Sequence, residues 1–175
     1  KATVVLVFDG DYASSPAENL RMTALEQVLS YRLLERLREN ESGVYTPSVG
    51  ASWSVLPVGR YSVAANFGCS TNNVEQLIKA SIEEVQKLQN VGVSAEDLQK
   101  FKSEEKRQNE IKVRNNGFWL TYLTDNYRNG EDIQQVLHEQ ELLDALTVED
   151  VQQAAKKYLN TKAFKRFVHM PESAK

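Results

Sequence analysis

The sequence predicts an α+β fold, a two-layer sandwich in which one mixed, mostly antiparallel sheet carries helices on one face. Three observations predict it. A strand-like apolar run opens the chain, two more strand-like stretches adjoin within residues 44–70, and several helical segments then follow one another before a last strand. Strands that do not alternate regularly with helices argue against parallel βαβ winding. At 175 residues the chain has the size of one domain and can bury roughly 70% of the surface its unfolded form exposes. Its 41% hydrophobic and 26% charged residues fit a globular protein and exclude wholesale disorder. No Pro-rich, Gly/Ser-rich or charged linker divides it, and no repeat of about 20 to 50 residues is present.

The first element is "ATVVLVFDGDYA", whose continuous apolar run from Val4 to Phe8 reads as a strand covered on both faces. "SSPAENL" starts a helix. Ser15 fits the N-cap, Pro16 the first helical position and Glu18 the reciprocal acceptor of a capping box. Leu25, Leu29, Leu33 and Leu37 fall on one stripe with Ala24 and Val28 beside it, so a wide face points inward, and the helix is expected to stop between Asn40 and Gly43.

Two strands follow, "VYTPSVGASWSVL" and "RYSVAANFGCS", joined by Pro57, Val58 and Gly59. Tyr61, Val63, Ala65 and Phe67 alternate on one face of the second, which makes the pair an antiparallel hairpin. Pro47 cannot donate to a ladder, so the front of its strand belongs at an edge or a bulge.

Residues 72–90 place Val74, Leu77, Ile78, Ile82, Val85 and Leu88 at helical spacing and end at Asn90 and Gly92. Ser94 and Asp97 start a more polar helix, in which "KSEEKRQNE" faces solvent. In "GFWLTYLTDNY", Phe118 with Tyr122 and Trp119 with Leu123 are spaced four apart, and Phe118 and Trp119 are expected in the core. Helices over 131–143 and 147–159 follow, the second capped by Thr147 with Asp150 at its third position, and "AFKRFVHM" closes the chain as a strand.

Charge and residue usage narrow the function. The net charge is −3, and Lys and Arg are interleaved with acids, so no basic stripe of the kind that binds nucleic acid or an acidic membrane surface is present. No apolar run approaches the ~20 residues that span a bilayer, and no signal peptide opens the chain. Opening at Lys1 just before a strand, the sequence is expected to be a piece of a longer protein.

Histidine occurs twice, as His138 and His169 in different elements, whereas a zinc site usually takes two or three imidazoles. "HEQEL" at 138–142 approaches two zinc-protease patterns, but Leu142 stands where the second histidine is required. His138 therefore reads as a surface helix residue and His169 as structural. Cys69 is the single cysteine and reads as an inert thiol. No phosphate-binding glycine loop or Gly-x-Ser-x-Gly elbow is present. Glu83 with Glu84, and Glu104 with Glu105, read as solvated helix faces. Alone, the chain does not look like a complete enzyme.

One short segment invites two readings. In "RENESGVY", Arg38 falls in a last helical turn, where a cation complements the macrodipole, and Tyr45 begins a strand, where tyrosine is common. Alternatively the loop carrying Gly43 turns the chain so that a guanidinium and a phenol face one cleft. A guanidinium holds a peptide carbonyl or carboxylate, and a phenol can donate to the oxygen charge of a tetrahedral transition state.

The segment "LEQVLSYRLLERLRENESGVYTPSVGAS" resembles the corresponding stretch of the M16 (pitrilysin or insulinase) family of zinc metallopeptidases, combining Leu37, Arg38, Gly43 and Tyr45 in the family's order. The strand type "GRYSVAANFGCS" and the helix "LTVEDVQQAAKKYL" extend the resemblance over nearly the whole chain. It is strongest to the C-terminal, metal-free type of domain, and "LRE-x-x-SGVY" is similar to bacterial PqqL-like zinc proteases.

The resemblance implies an M16/LuxS-like metallohydrolase fold for residues 1–175 and a clamshell protein whose zinc, bound by His-x-x-Glu-His, sits in another domain or a partner subunit. It implies that Arg38 holds the backbone of a peptide substrate and that Tyr45 stabilises the transition state across the cavity. It also implies a periplasmic or cell-envelope location. A non-catalytic scaffold or peptide-binding module of the same fold is the alternative, with the strand behind Pro47 as the pairing edge.

Overall fold

The computed structural model describes residues 1–40 and 47–172. Its strands are β1 (Ala2–Asp11), β2 (Ser48–Ser54), β3 (Arg60–Cys69) and β4 (Lys165–His169). Its helices are α1 (Pro16–Leu34), α2 (Val74–Val91), α3 (Ala95–Lys112), α4 (Asn116–Asn129), α5 (Glu139–Ala145) and α6 (Val148–Tyr158). Among the described residues the strands form one open sheet in the order β2-β3-β1-β4, antiparallel at every pairing. The β2–β3 hairpin forms as expected, and β2, behind Pro47, lies at the sheet edge.

The expectation that β1 is covered on both faces does not hold. Ala2, Val4, Leu6 and Phe8 are buried, whereas Thr3 is exposed and Val5 and Val7 are half-buried. The apolar run reflects a central strand whose second face is only partly covered, with the core packed against the first. Register carries that core across the sheet: Val4 stands opposite Phe67 and Val168, Leu6 opposite Ala65, and Phe8 opposite Val63. Helix α1 lays its Leu25–Leu29–Leu33 stripe, with Met22, Ala24 and Val28, into the same core.

Capping decides where the helices begin. Ser15 accepts the Glu18 N–H at 3.2 Å with Pro16 in the first turn, Ser94 accepts the Asp97 N–H at 3.0 Å, and Thr147 with Asp150 makes a complete capping box. Helix α2 closes on Gly92 at φ +88°, a conformation glycine adopts without strain.

The segment expected as one helix over 131–143 is two pieces. A 3₁₀ turn over Ile133–His138, capped by Asp132, precedes α5. Phe118 and Trp119 are half-buried rather than in the core. They sit on α4, whose single buried residue is Asn126. The aromatic rings pack on one another instead, with Phe118 and Tyr122 stacked at 5.5 Å and the Trp119 indole N–H donating to the Val113 carbonyl at 2.8 Å.

Candidate functional site

Helix α1 does not stop at Leu34 but widens into a π turn over Glu35–Asn40. Wide turns of this kind recur at functional sites because the extra residue redirects the side chains that follow. Here Leu37 is wholly buried and Arg38, the next residue, is exposed. The neighbouring arginines fasten α1 to α2. Arg32 donates to the Gly92 carbonyl at 2.8 Å and reaches the Glu84 carboxylate at 3.4 Å, and Arg36 meets Glu83 at 3.3 Å. Among the described residues Arg38 pairs with no carboxylate. Tyr45 lies outside the described residues, and so does the convergence of Arg38 with Tyr45.

Glu84 corrects an expectation. Read from sequence as part of a solvated face, it is buried, because α2 packs that face against Arg32. A buried carboxylate needs such a partner. The edge of β2 is partly occupied as well. Glu26, half-buried on α1, accepts the Ala51 backbone N–H; burial pushes its carboxyl up, and that hydrogen bond opposes the shift. A charge reaching over an edge in this way blunts strand pairing.

At the other end of α1 stands a polar cluster that sequence reasoning missed. Glu18, read as a capping-box acceptor, instead turns its carboxylate to tertiary partners. It accepts hydrogen bonds from the Tyr158 hydroxyl, from Lys157 at 2.6 Å and from Arg21 at 3.1 Å. Burial alone would raise its pKa, but the bonds from Lys157, Tyr158 and Arg21 overcome that and hold it below the ordinary carboxylate range. Burial first, then the Glu18 carboxylate, pushes the Tyr158 phenol up. Arg21 also meets Asp150 at 2.9 Å, and Tyr61 donates to the Tyr158 carbonyl at 2.9 Å, so α6 is tied to both α1 and the sheet. The spacing of Ser15, Glu18 and the "KKY" of α6 contains these partners, but nothing local pairs them.

Between the N-terminal half of α1, the turn after β2, and α3, α4 and α5 opens a cleft of about 1050 Å³. Leu20, Trp53, Leu56 and Phe118 give it apolar walls, and Glu105, Asn109, Lys112 and Glu139 give it polar ones. Lys112 bonds Glu139 at 2.9 Å and lies 5.3 Å from the centre of the Phe118 ring. Burial, aided by Glu139 and Glu104 against the Lys112 ammonium, pushes the Glu105 carboxyl up. The expectation of a solvated Glu105 is therefore corrected: α4 and α5 shelter that face of α3.

Zinc does not fit the residues present. Among the described residues no three His, Cys, Asp or Glu side chains gather to hold a metal ion. His138 is exposed with Nδ1 3.1 Å from Glu141, Leu142 faces the cleft where a second imidazole would be needed, and His169 is exposed on β4. Cys69 is buried, and burial pushes its thiol up, the state of an unreactive thiol. No described helix is long and apolar enough to cross a membrane.

The model of the peptidase M16 inactive domain matches residues 1–105. No curated protein matches the sequence. Among solved structures, the periplasmic protease PqqL from Escherichia coli superposes with a TM-score of 0.84 at 22% identity, over 98% of this chain and 19% of that one. The peptidase M16 inactive domain from Pseudomonas fluorescens gives 0.79 at 16% identity, over 96% and 41%. A protease from Helicobacter pylori gives 0.78 at 16% identity, over 97% and 41%. At these identities the likeness is one of fold, and this chain spans less than half the length of each of the three.

Proposed function

The chain belongs to the peptidase M16 family, as an inactive domain, and from that premise we propose that it lends Arg38 and Tyr45 to a peptidase site whose zinc another domain or subunit binds. The substrate class is peptides or unfolded polypeptides. Arg38 holds a backbone carbonyl or carboxylate of the substrate through its planar fork of donors. Tyr45 donates its phenol to the oxygen on which negative charge develops, a bond that strengthens only as the transition state forms. The observation that carries this reading is the π turn that buries Leu37 and leaves Arg38 exposed, a few residues before Tyr45 in the sequence. The periplasmic location of PqqL supports a cell-envelope setting for the same reading.

The test is Tyr45→Phe in the full-length protein. Losing one oxyanion donor lowers kcat by about 10²-fold to 10³-fold with little change in KM. Arg38→Lys keeps the charge but loses bidentate binding, so it raises KM more than it lowers kcat. A Tyr45→Phe enzyme with wild-type kcat ends the assignment.

The second reading is a non-catalytic scaffold or peptide-binding module that pairs an extended peptide along β2. The edge position of β2 favours it, and the hold of Glu26 on the Ala51 N–H weighs against it. The presence of His-x-x-Glu-His elsewhere in the full-length protein or its partner subunit separates the two readings.

A further inference from the structure

The cleft lies far from Arg38. Thr23, the wall residue of α1 nearest Arg38 along the chain, is 15 residues from it along α1 and its π extension, roughly 22 Å at the helical rise.

Glu105 and Asn109 line this cleft one turn apart on α3. Among the described residues Glu105 accepts no hydrogen bond and forms no ion pair, and the Asn109 Oδ1 is buried without a donor. A half-buried carboxylate without a partner marks a position where a donor belongs. Lys112 pairs with Glu139 at 2.9 Å and acts on Glu105 only through its charge, without a hydrogen bond. That pair also demonstrates what the cleft holds well, since the same ammonium lies 5.3 Å from the Phe118 ring centre.

Leu20, Trp53 and Leu56 also line the cleft, surfaces against which an alkyl stem packs. The cleft of about 1050 Å³ lies at the upper end of the ~300–1,000 Å³ of ligand pockets, room enough for a short stretch of peptide.

From the unpaired Glu105 carboxylate, the ring and the apolar wall, we infer that this cleft binds a lysine- or arginine-bearing peptide, with the cationic head at Glu105 and its stem against Trp53. An ammonium or guanidinium meets a carboxylate through charge-assisted hydrogen bonds. Arg38 is not among the residues that line the site, and the binding needs neither zinc nor cleavage.

The experiment is an NMR titration of the 175-residue chain, reading its two tryptophan indole N–H signals. The probes are the blocked peptide Ala-Ala-Lys-Ala-Ala, its norleucine twin and spermidine. Trp53, on the cleft wall, is expected to shift saturably with the lysine peptide at about millimolar concentrations or below, while Trp119, held by Val113, moves less.

Glu105→Gln keeps the side-chain shape and is expected to weaken the lysine peptide about tenfold, as replacing lysine by norleucine does. Equal binding of the norleucine twin, wild-type affinity in Glu105→Gln, or no saturable Trp53 shift overturns the inference. Spermidine binding as tightly as the peptide overturns the peptide assignment in favour of a free cation.

Discussion

Removing the Glu18 carboxylate tests how the two ends of the chain are joined. Tyr158 is 1% exposed, and its hydroxyl donates to Glu18, 140 residues away. A hydrogen bond to a charged group is worth about 1.5–3 kcal/mol. The side chains of Lys157 and Arg21 are 58% and 37% exposed, so their pairs add at most about 1 kcal/mol each. Glu18→Ala is therefore expected to cost about 3 kcal/mol, which for a chain this long lowers Tm by roughly 6–12 °C.

Urea unfolding of wild type, Glu18→Ala, Tyr158→Phe and the double variant closes a cycle. The two single losses should fail to add by at least about 1 kcal/mol, since each deletes the same bond. The folded pKa of Glu18 lies below its ordinary 4.5. Its contribution is therefore complete above that value and is lost as pH falls through the folded value, and Glu18→Ala should flatten the acid limb there. Additivity within about 0.5 kcal/mol, or an unchanged acid limb, refutes the account.

Two other perturbations follow from local geometry. Gly59→Ala would place a methyl carbon 1.9 Å from the Tyr12 backbone oxygen, where Tyr12 N–H also bonds the Gly59 carbonyl. Displacing that backbone should cost at least about 3 kcal/mol by thermal or urea unfolding, and a loss below about 1 kcal/mol refutes the contact. Cys69, buried with its thiol pushed up, should resist an aromatic disulfide reagent at neutral pH in the native protein and react promptly in urea. Equal rates in both conditions contradict its burial.

Element types were legible wherever a periodic pattern met a local stop signal. The stripe of α1, the alternation of β3 and the caps at Ser15, Ser94 and Thr147 all depend on residues within a few positions of one another. Reading failed where a residue's environment comes from elsewhere in the chain. Phe118 and Trp119 are apolar enough for a core, yet they stack among themselves beside a cleft. Glu84 looked solvated until Arg32, 52 residues away, closed over it. For the candidate site, Arg38 was legible as the end of a helical stripe, and the exposure of its side chain follows from the π turn that buries Leu37.

By itself the sequence determined the α+β layout, the core-facing stripes and the absence of a second histidine at Leu142, because each follows from spacing along the backbone. Only the tertiary structure decided that Glu18 joins α6 rather than closing its own cap, that Glu26 covers the edge of β2, and that Glu105 and Asn109 line an open cleft. A polar group takes the partner that desolvation leaves within reach, and which partner that is depends on how distant segments pack.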